Sequence, residues 1–459
     1  MSLRKLSIFF LVTGLTIAFA RPANVSIRPV MAQTGKPQLA AIAVEGDQAP
    51  AELGGTFSKI ESSSLGNSGE VAFSADLAGS SVSSALFLSS DGSSRVILRS
   101  GDNTPAGGTF TRFHEVDVAD GDFILFRAEL AGIGPAEGVF LWYSQGAVQT
   151  IQLSGDVTAG RYSGMTYKSF GQLTLKANDP TSQFGVNYAF VATLNEGGLE
   201  AIVWNQLDTR SPGLTEEITG EFSFERSRKE VVDHFVLARL GSLGLVFVAQ
   251  YHRPNGNREF NRPWYSQSLL HTDPTLTEGL RTSLGKLQKI DVPVTFDYYA
   301  QVFLSAEFIK NGQSSKAILT EYLTCCSPYP LSAVLATGDP APGHHGKIVD
   351  IGPPVANPVR NLGTVRLPSG LASAVQLSTG QKALWFAVLT AGTSGAEFTI
   401  HSRLELLGGA TDDPAHPVLT SLNPVKLSDT GMLLITGSVN EGGNERNGVF
   451  LLSGLFPEM

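Results

Sequence analysis

His344 and His345 follow Asp339 in one glycine-rich turn, and His416 follows Asp413 in a related one. Two or three imidazoles with a carboxylate make a ligand set for Zn²⁺ or Cu²⁺. The plainer reading is a pair of exposed loop histidines, since adjacent side chains on an extended chain diverge. Carboxylates recur as well. Gly-Asp pairs place Asp47, Asp102, Asp156 and Asp339 in turns, while Asp76, Glu129 and Glu307 occupy one equivalent strand position. Such oxygens on one face suit Ca²⁺. The competing role is local, with glycine supplying positive φ and the aspartate capping its own turn.

Cys325 and Cys326 are the only cysteines. Their Cα atoms lie ~3.8 Å apart across a trans peptide, below the usual disulfide range. They form either a strained vicinal bridge or two free thiols. The stretch from His252 to His271 mixes Arg253, Arg258 and Arg262 with Trp264 and Tyr265. Aromatic platforms and guanidinium forks hold sugars and acidic polymers; the alternative is a decorated connection. No Gly-x-Ser-x-Gly elbow, His-Glu-x-x-His helix, phosphate loop or dinucleotide fingerprint is present.

These residues must be positioned by short strands. An aromatic-x-Ala-x-Leu marker appears as Phe73-Ser74-Ala75-Asp76-Leu77, Phe126-Arg127-Ala128-Glu129-Leu130 and Phe190-Val191-Ala192-Thr193-Leu194. It continues at Phe247–Tyr251 and Leu304–Phe308, and degenerates at Trp385–Leu389 and Ile435–Val439. Period-two alternation makes each a strand. Before the markers come openings such as Gly55-Thr56-Phe57 and Gly108-Thr109-Phe110; after them come strands such as Gly138–Trp142 and Gly448–Leu452. Seven units of four short antiparallel strands predict an all-β, seven-bladed β-propeller. The last unit ends after its third strand, and an orphan strand, Leu39–Val44, precedes the first. Pairing the two predicts ring closure by the N-terminal strand. The propeller is expected over 38–459, with insertions near 206–220, 252–285 and 352–380.

Gly66-Asn67-Ser68-Gly69-Glu70-Val71-Ala72-Phe73, with Ser428–Ile435 as a weaker copy, resembles a family of exported bacterial tandem-repeat proteins. That family is named for an Asn-x-x-Gly-x-x-Ala-Phe motif and often carries Gly-Asp-x-x-Pro turns. The sequence departs from it at Gly66, where the motif has Asn, and in lacking an anchoring segment after Leu451. The resemblance implies propeller architecture and export, and no catalytic residue.

The N-terminus agrees on export. Arg4 and Lys5 precede an apolar run from Leu6 to Ala20, and Ala18-Phe19-Ala20 is a small-x-small cleavage pattern. A second cleavage point follows Ala32. The run of about 15 residues is shorter than the ~20 that span a bilayer, so residues 1–20 read as a signal peptide and 21–37 as a flexible leader. Periplasmic or extracellular localisation follows, with no membrane insertion after cleavage. The net charge of −9 disfavours nucleic acid and anionic membranes. The expected function is a non-enzymatic binding or scaffolding propeller with an envelope or extracellular ligand, carbohydrate or protein. The alternatives are a secreted glycan hydrolase or lyase, or a metal-dependent enzyme built on His344, His345 and His416. The cofactor is unknown, with calcium or zinc the ions the residues suit.

Overall fold

A computed structural model describes residues 27–29, 37–90, 93–120, 123–143, 146–158, 164–177, 186–195, 199–208, 211–219, 231–240, 245–252, 259–267, 270–272, 278–291, 295–296, 301–322, 332–357, 361–362, 365–366, 369–391, 398–405, 419–428, 430–441 and 443–455. Every regular element among them is a strand. No helix among them is long and apolar enough to cross a membrane.

Among the described residues the strands form seven sheets of four to six strands, plus one two-stranded ribbon at Asn361–Leu362 and Val365–Arg366. The first sheet orders Thr56–Leu65, Val71–Ala78, Ser84–Ser90 and Ser93–Arg99 side by side. The second repeats that order with Thr109–Ala119, Phe123–Ala131, Glu137–Trp142 and Val148–Leu153. The third runs from Tyr167–Ala177 to Ser211–Thr219, and the fourth from Val231–Leu240 to Leu270–Thr272. In the fifth, the first-strand position is shared by Gly285–Ile290 and Thr295–Phe296, both paired with Gln301–Lys310, and Gln313–Tyr322 and Ser332–Ala336 follow. In the seventh, Leu419–Leu427, Leu433–Glu441 and Asn444–Ser453 are joined by Gln38–Val44. That N-terminal strand pairs antiparallel, with Leu39 opposite Leu452 and Ala41 opposite Phe450. The orphan strand read from the sequence therefore pairs where expected. Within the segment read as a leader, Ile27–Pro29 adds a parallel edge to Phe398–Glu405 of the sixth sheet.

The core sits between sheets. Along Val71–Ala78 the first five residues are all buried, so both faces of the strand are covered. One face carries Phe73, stacked on Phe87 at 4.8 Å with Phe57 edge-on to both, and packs on Leu434 and Val449 of the seventh sheet. The other face presents Ala72 and Leu86 to Phe110, Phe113 and Phe126 of the second. Small residues at alternate positions let sheets approach, and the aromatics fill the gap they leave. Burying one such phenylalanine stabilises by about 1.5–3 kcal/mol.

The sixth sheet corrects the marker assignment. Its second strand is Ser369–Leu377, inside the stretch expected as an insertion, and the Trp385 segment lies on the third strand, Lys382–Ala391. Ile348 faces Leu377 and Ile351 faces Val375, as Phe57 faces Leu77 and Ile60 faces Ala75 in the first sheet. Ser373 thus stands where Phe73 stands, and Trp385 opposite it where Phe87 stands. A small residue and an indole share the volume of two phenyl rings, so the marker strand here carries no aromatic. The stretches read as insertions at 206–220 and 252–285 likewise contain strands, Ser211–Thr219 and Glu259–Gln267.

Candidate functional site

The Gly-Asp turns are built alike. Gly46, Gly101, Gly155 and Gly338 have φ between 89° and 97°. Each donates its N–H to the following first strand, at Phe57, Phe110, Tyr167 and Ile348, which donate back to Asp47, Asp102, Asp156 and Asp339. Three of the carboxylates cap their own turn, accepting the N–H of Arg99, Leu153 and Ala336 at 2.9, 3.0 and 2.8 Å. Asp47 instead takes Arg446 of the seventh sheet at 2.9 Å. The local role weighed from the sequence is thus observed at Asp102, Asp156 and Asp339.

Asp76, Glu129 and Glu307 do share one register position, and each lies opposite a base on the first strand: Lys59, Arg112 and Lys289. Opposite charges across a strand pair stabilise it. The contacts go further and join sheets. Arg112 of the second sheet holds Asp76 at 2.6 Å and Glu61 at 2.5 Å, both on the first. Glu129 takes His114 at 2.9 Å, and Glu307 accepts the Ser314 hydroxyl at 2.5 Å. Hydrogen bonding to Asp76, with Glu61 adding, raises the Arg112 guanidinium above its usual range despite partial burial. Burial pushes Glu61 up, but Lys59 and Arg112 outweigh it and hold the carboxyl below its ordinary value.

His344 and His345 are exposed, and the His344 ring lies 3.4 Å from the Leu404 carbonyl. Among the described residues no three His, Cys, Asp or Glu side chains gather as a metal-ligand group. Asp413, His416, Cys325 and Cys326 lie outside the described residues, as do Arg253 and Arg258, and the side chains of Arg262, Trp264 and Tyr265.

Sequence reasoning missed two further constellations. In the first, a side chain at the start of a third strand accepts a backbone N–H from the next sheet. Ser84 takes Phe113 at 3.2 Å, Glu137 takes Phe170 at 2.8 Å and Glu200 takes Phe235 at 2.8 Å. Phe113 and Phe170 each border a break in ladder register, where a backbone N–H turns away from its strand partner, and the break nearest Phe235 falls between Val232 and His234. Arg127 holds Glu137 in place at 3.0 Å while also binding Glu115. Burial draws Arg127 down, and these two carboxylates more than restore it.

The second is a buried charge pair. Lys426 of the seventh sheet donates to Asp117 of the second at 2.7 Å, to Ser64 of the first at 3.0 Å and to the Val118 carbonyl at 3.1 Å. Asp117 also accepts the Ser64 hydroxyl, the Val118 N–H and, at 2.6 Å, the Leu175 N–H of the third sheet. Four sheets meet at one carboxylate. The signal in the sequence is a charge inside an otherwise apolar strand segment, as in Val116-Asp117-Val118; its partner could not be read.

Residues 20–200 match the model of a family of unknown function, DUF7453. No curated protein matches the chain. Among solved structures, a crystal structure of polysaccharide lyase Uly1 is similar at 10% identity, covering 83% of this chain and 87% of that one, with a TM-score of 0.44. Extracellular domains 1-2 of Drosophila Semaphorin 1b are similar at 10% identity over 91% and 87%, with a TM-score of 0.35. A subtype N11 neuraminidase-like protein of A/flat-faced bat/Peru/033/2010 is similar at 11% identity over 75% and 84%, with a TM-score of 0.33.

Proposed function

We propose that the chain is an exported seven-bladed β-propeller whose loops form a binding surface for an extracellular or envelope ligand, a carbohydrate or a protein. Seven sheets of four or more strands among the described residues support the blade count, and the strand Gln38–Val44 in the last of them supports closure of the ring. The signal-peptide pattern at Arg4–Ala20 supports export.

The observation that carries the binding reading is how the strand-borne acids are used. Asp76, Glu61, Glu115, Glu137 and Asp117 each contact an Arg or Lys, and for Asp76, Glu61 and Asp117 that base lies on another sheet. Carboxylates committed in this way hold a scaffold together, and recognition falls to the connections at its rim.

The test is a panel of defined oligosaccharides and envelope proteins presented to the secreted protein, with product analysis on every binder. Saturable binding with the ligand recovered intact supports the reading. New reducing ends or unsaturated sugar products would replace it with a glycan-cleaving enzyme. Sequencing the N-terminus of the secreted protein should find Arg21 or Gln33 first, and an intact Met1 would overturn export by this route.

A further inference from the structure

The Lys426–Asp117 pair belongs to a layer that the ladder register defines. Seven first-strand residues face the position just before the marker in their own sheets: Ser64, Asp117, Thr174, Arg239, Thr295, Val355 and Lys426. All but Val355 are polar or charged by type. Yet Ser64, Asp117 and Thr174 are 4%, 8% and 4% exposed. Polar side chains that line an open, watered passage would be wet; these are shut away from solvent.

Lys426 explains how. Its side chain passes the first sheet to reach Asp117 and the Val118 carbonyl of the second, and Asp117 in turn holds the backbone of the third. First strands from four sheets therefore approach to within one side chain's length at this level. Three acceptors surround one ammonium, so the group is satisfied without water.

We propose that Ser64, Asp117, Thr174 and Lys426 of this layer form a solvent-excluded polar plug, fastened by Lys426, that closes the axial passage at the end where the first strands finish. Ligand access is then confined to the opposite end, which carries the Gly-Asp turns and the exposed Lys59 and Lys289 side chains. The inference rests on the ring reading above and goes beyond it by assigning the open face.

The experiment uses Ser64→Cys in the full chain with Cys325→Ser and Cys326→Ser, labelled with N-ethylmaleimide and followed by intact mass. With Lys426 present, the introduced thiol should label only as fast as the chain unfolds. In Lys426→Ala it should label about tenfold faster or more while the melt stays cooperative, because the cover has gone and local access replaces global opening. Rapid labelling with Lys426 present, or no acceleration in a folded Lys426→Ala chain, overturns the plug. If Lys426→Ala does not fold, Lys426→Ala/Asp117→Ala removes the orphaned charge and is read by the same criteria. Ring closure is tested separately by Ala40→Cys/Leu451→Cys, a register pair across the joining strands. Failure to cross-link sinks the ring; cross-linking with unchanged labelling of the introduced thiol sinks the plug alone.

Discussion

Lys426 and Asp117 lie 309 residues apart in the chain and 2.7 Å apart in space, and their side chains are 14% and 12% exposed. Neither charge is tolerable there alone. Removing one partner of a buried pair leaves an uncompensated charge and costs about 3–5 kcal/mol, whereas replacing both with apolar residues of similar volume is close to neutral. Asp117→Ala is therefore expected to lower the urea midpoint sharply, and Lys426→Met/Asp117→Leu to recover most of that loss. Additive losses in the double variant would show that the pair is not coupled.

Acid should loosen the joint between the first two sheets. Burial lifts the Glu61 carboxyl, but Lys59 and Arg112 together hold it below its ordinary value in the folded chain. A depressed carboxylate contributes stability that is present above its unfolded value and lost as the pH falls through the folded one. Glu61→Gln should accordingly lower stability most at neutral pH and least in acid, which flattens the acid limb of the stability curve. An unchanged limb would assign the acid sensitivity elsewhere.

Two glycines in neighbouring turns separate backbone strain from steric clash. Gly101 has φ +97° with open space around a notional Cβ, so Gly101→Ala should cost about 1 kcal/mol, the strain of the left-handed region. Gly108 has φ +69°, and its Cβ would run into the Ala131 carbonyl of the paired strand. Gly108→Ala should cost clearly more, read as a larger drop in melting temperature. Equal losses would mean that the strand end relaxes freely.

Trp385 is wholly buried opposite Ser373, and its indole N–H finds no acceptor among the described residues. Trp385→Phe should thus lose packing but no hydrogen bond, and Trp385→Ala should cost about 3–5 kcal/mol through the cavity it leaves. Denaturant titration of both variants checks the order. A Trp385→Phe loss as large as that of Trp385→Ala would point to an indole hydrogen bond in solution.

Strand existence and order are legible because they depend on local signals. Alternation at Phe73–Leu77, glycine at each tight turn and aspartate after it act within a few residues, and the structure pairs those strands as four-stranded sheets. The orphan strand at Leu39–Val44 can be assigned because an unpaired edge needs a partner. The sixth sheet departs from its expected marker for a reason that is also physical. Packing constrains volume across a strand pair rather than residue type at one position, so Ser373 with Trp385 can replace two phenyl rings.

The amino-acid sequence by itself determined an all-β chain, the turn chemistry at Asp102, Asp156 and Asp339, and the shared position of Asp76, Glu129 and Glu307. Only the tertiary structure decided what those charges touch. Arg112 reaches back to the preceding sheet, Glu137 and Glu200 reach forward to the next, and Lys426 passes the first sheet to reach the second. Turns are set by the backbone preferences of adjacent residues, whereas an ion pair between sheets requires strands distant in the chain to be packed first.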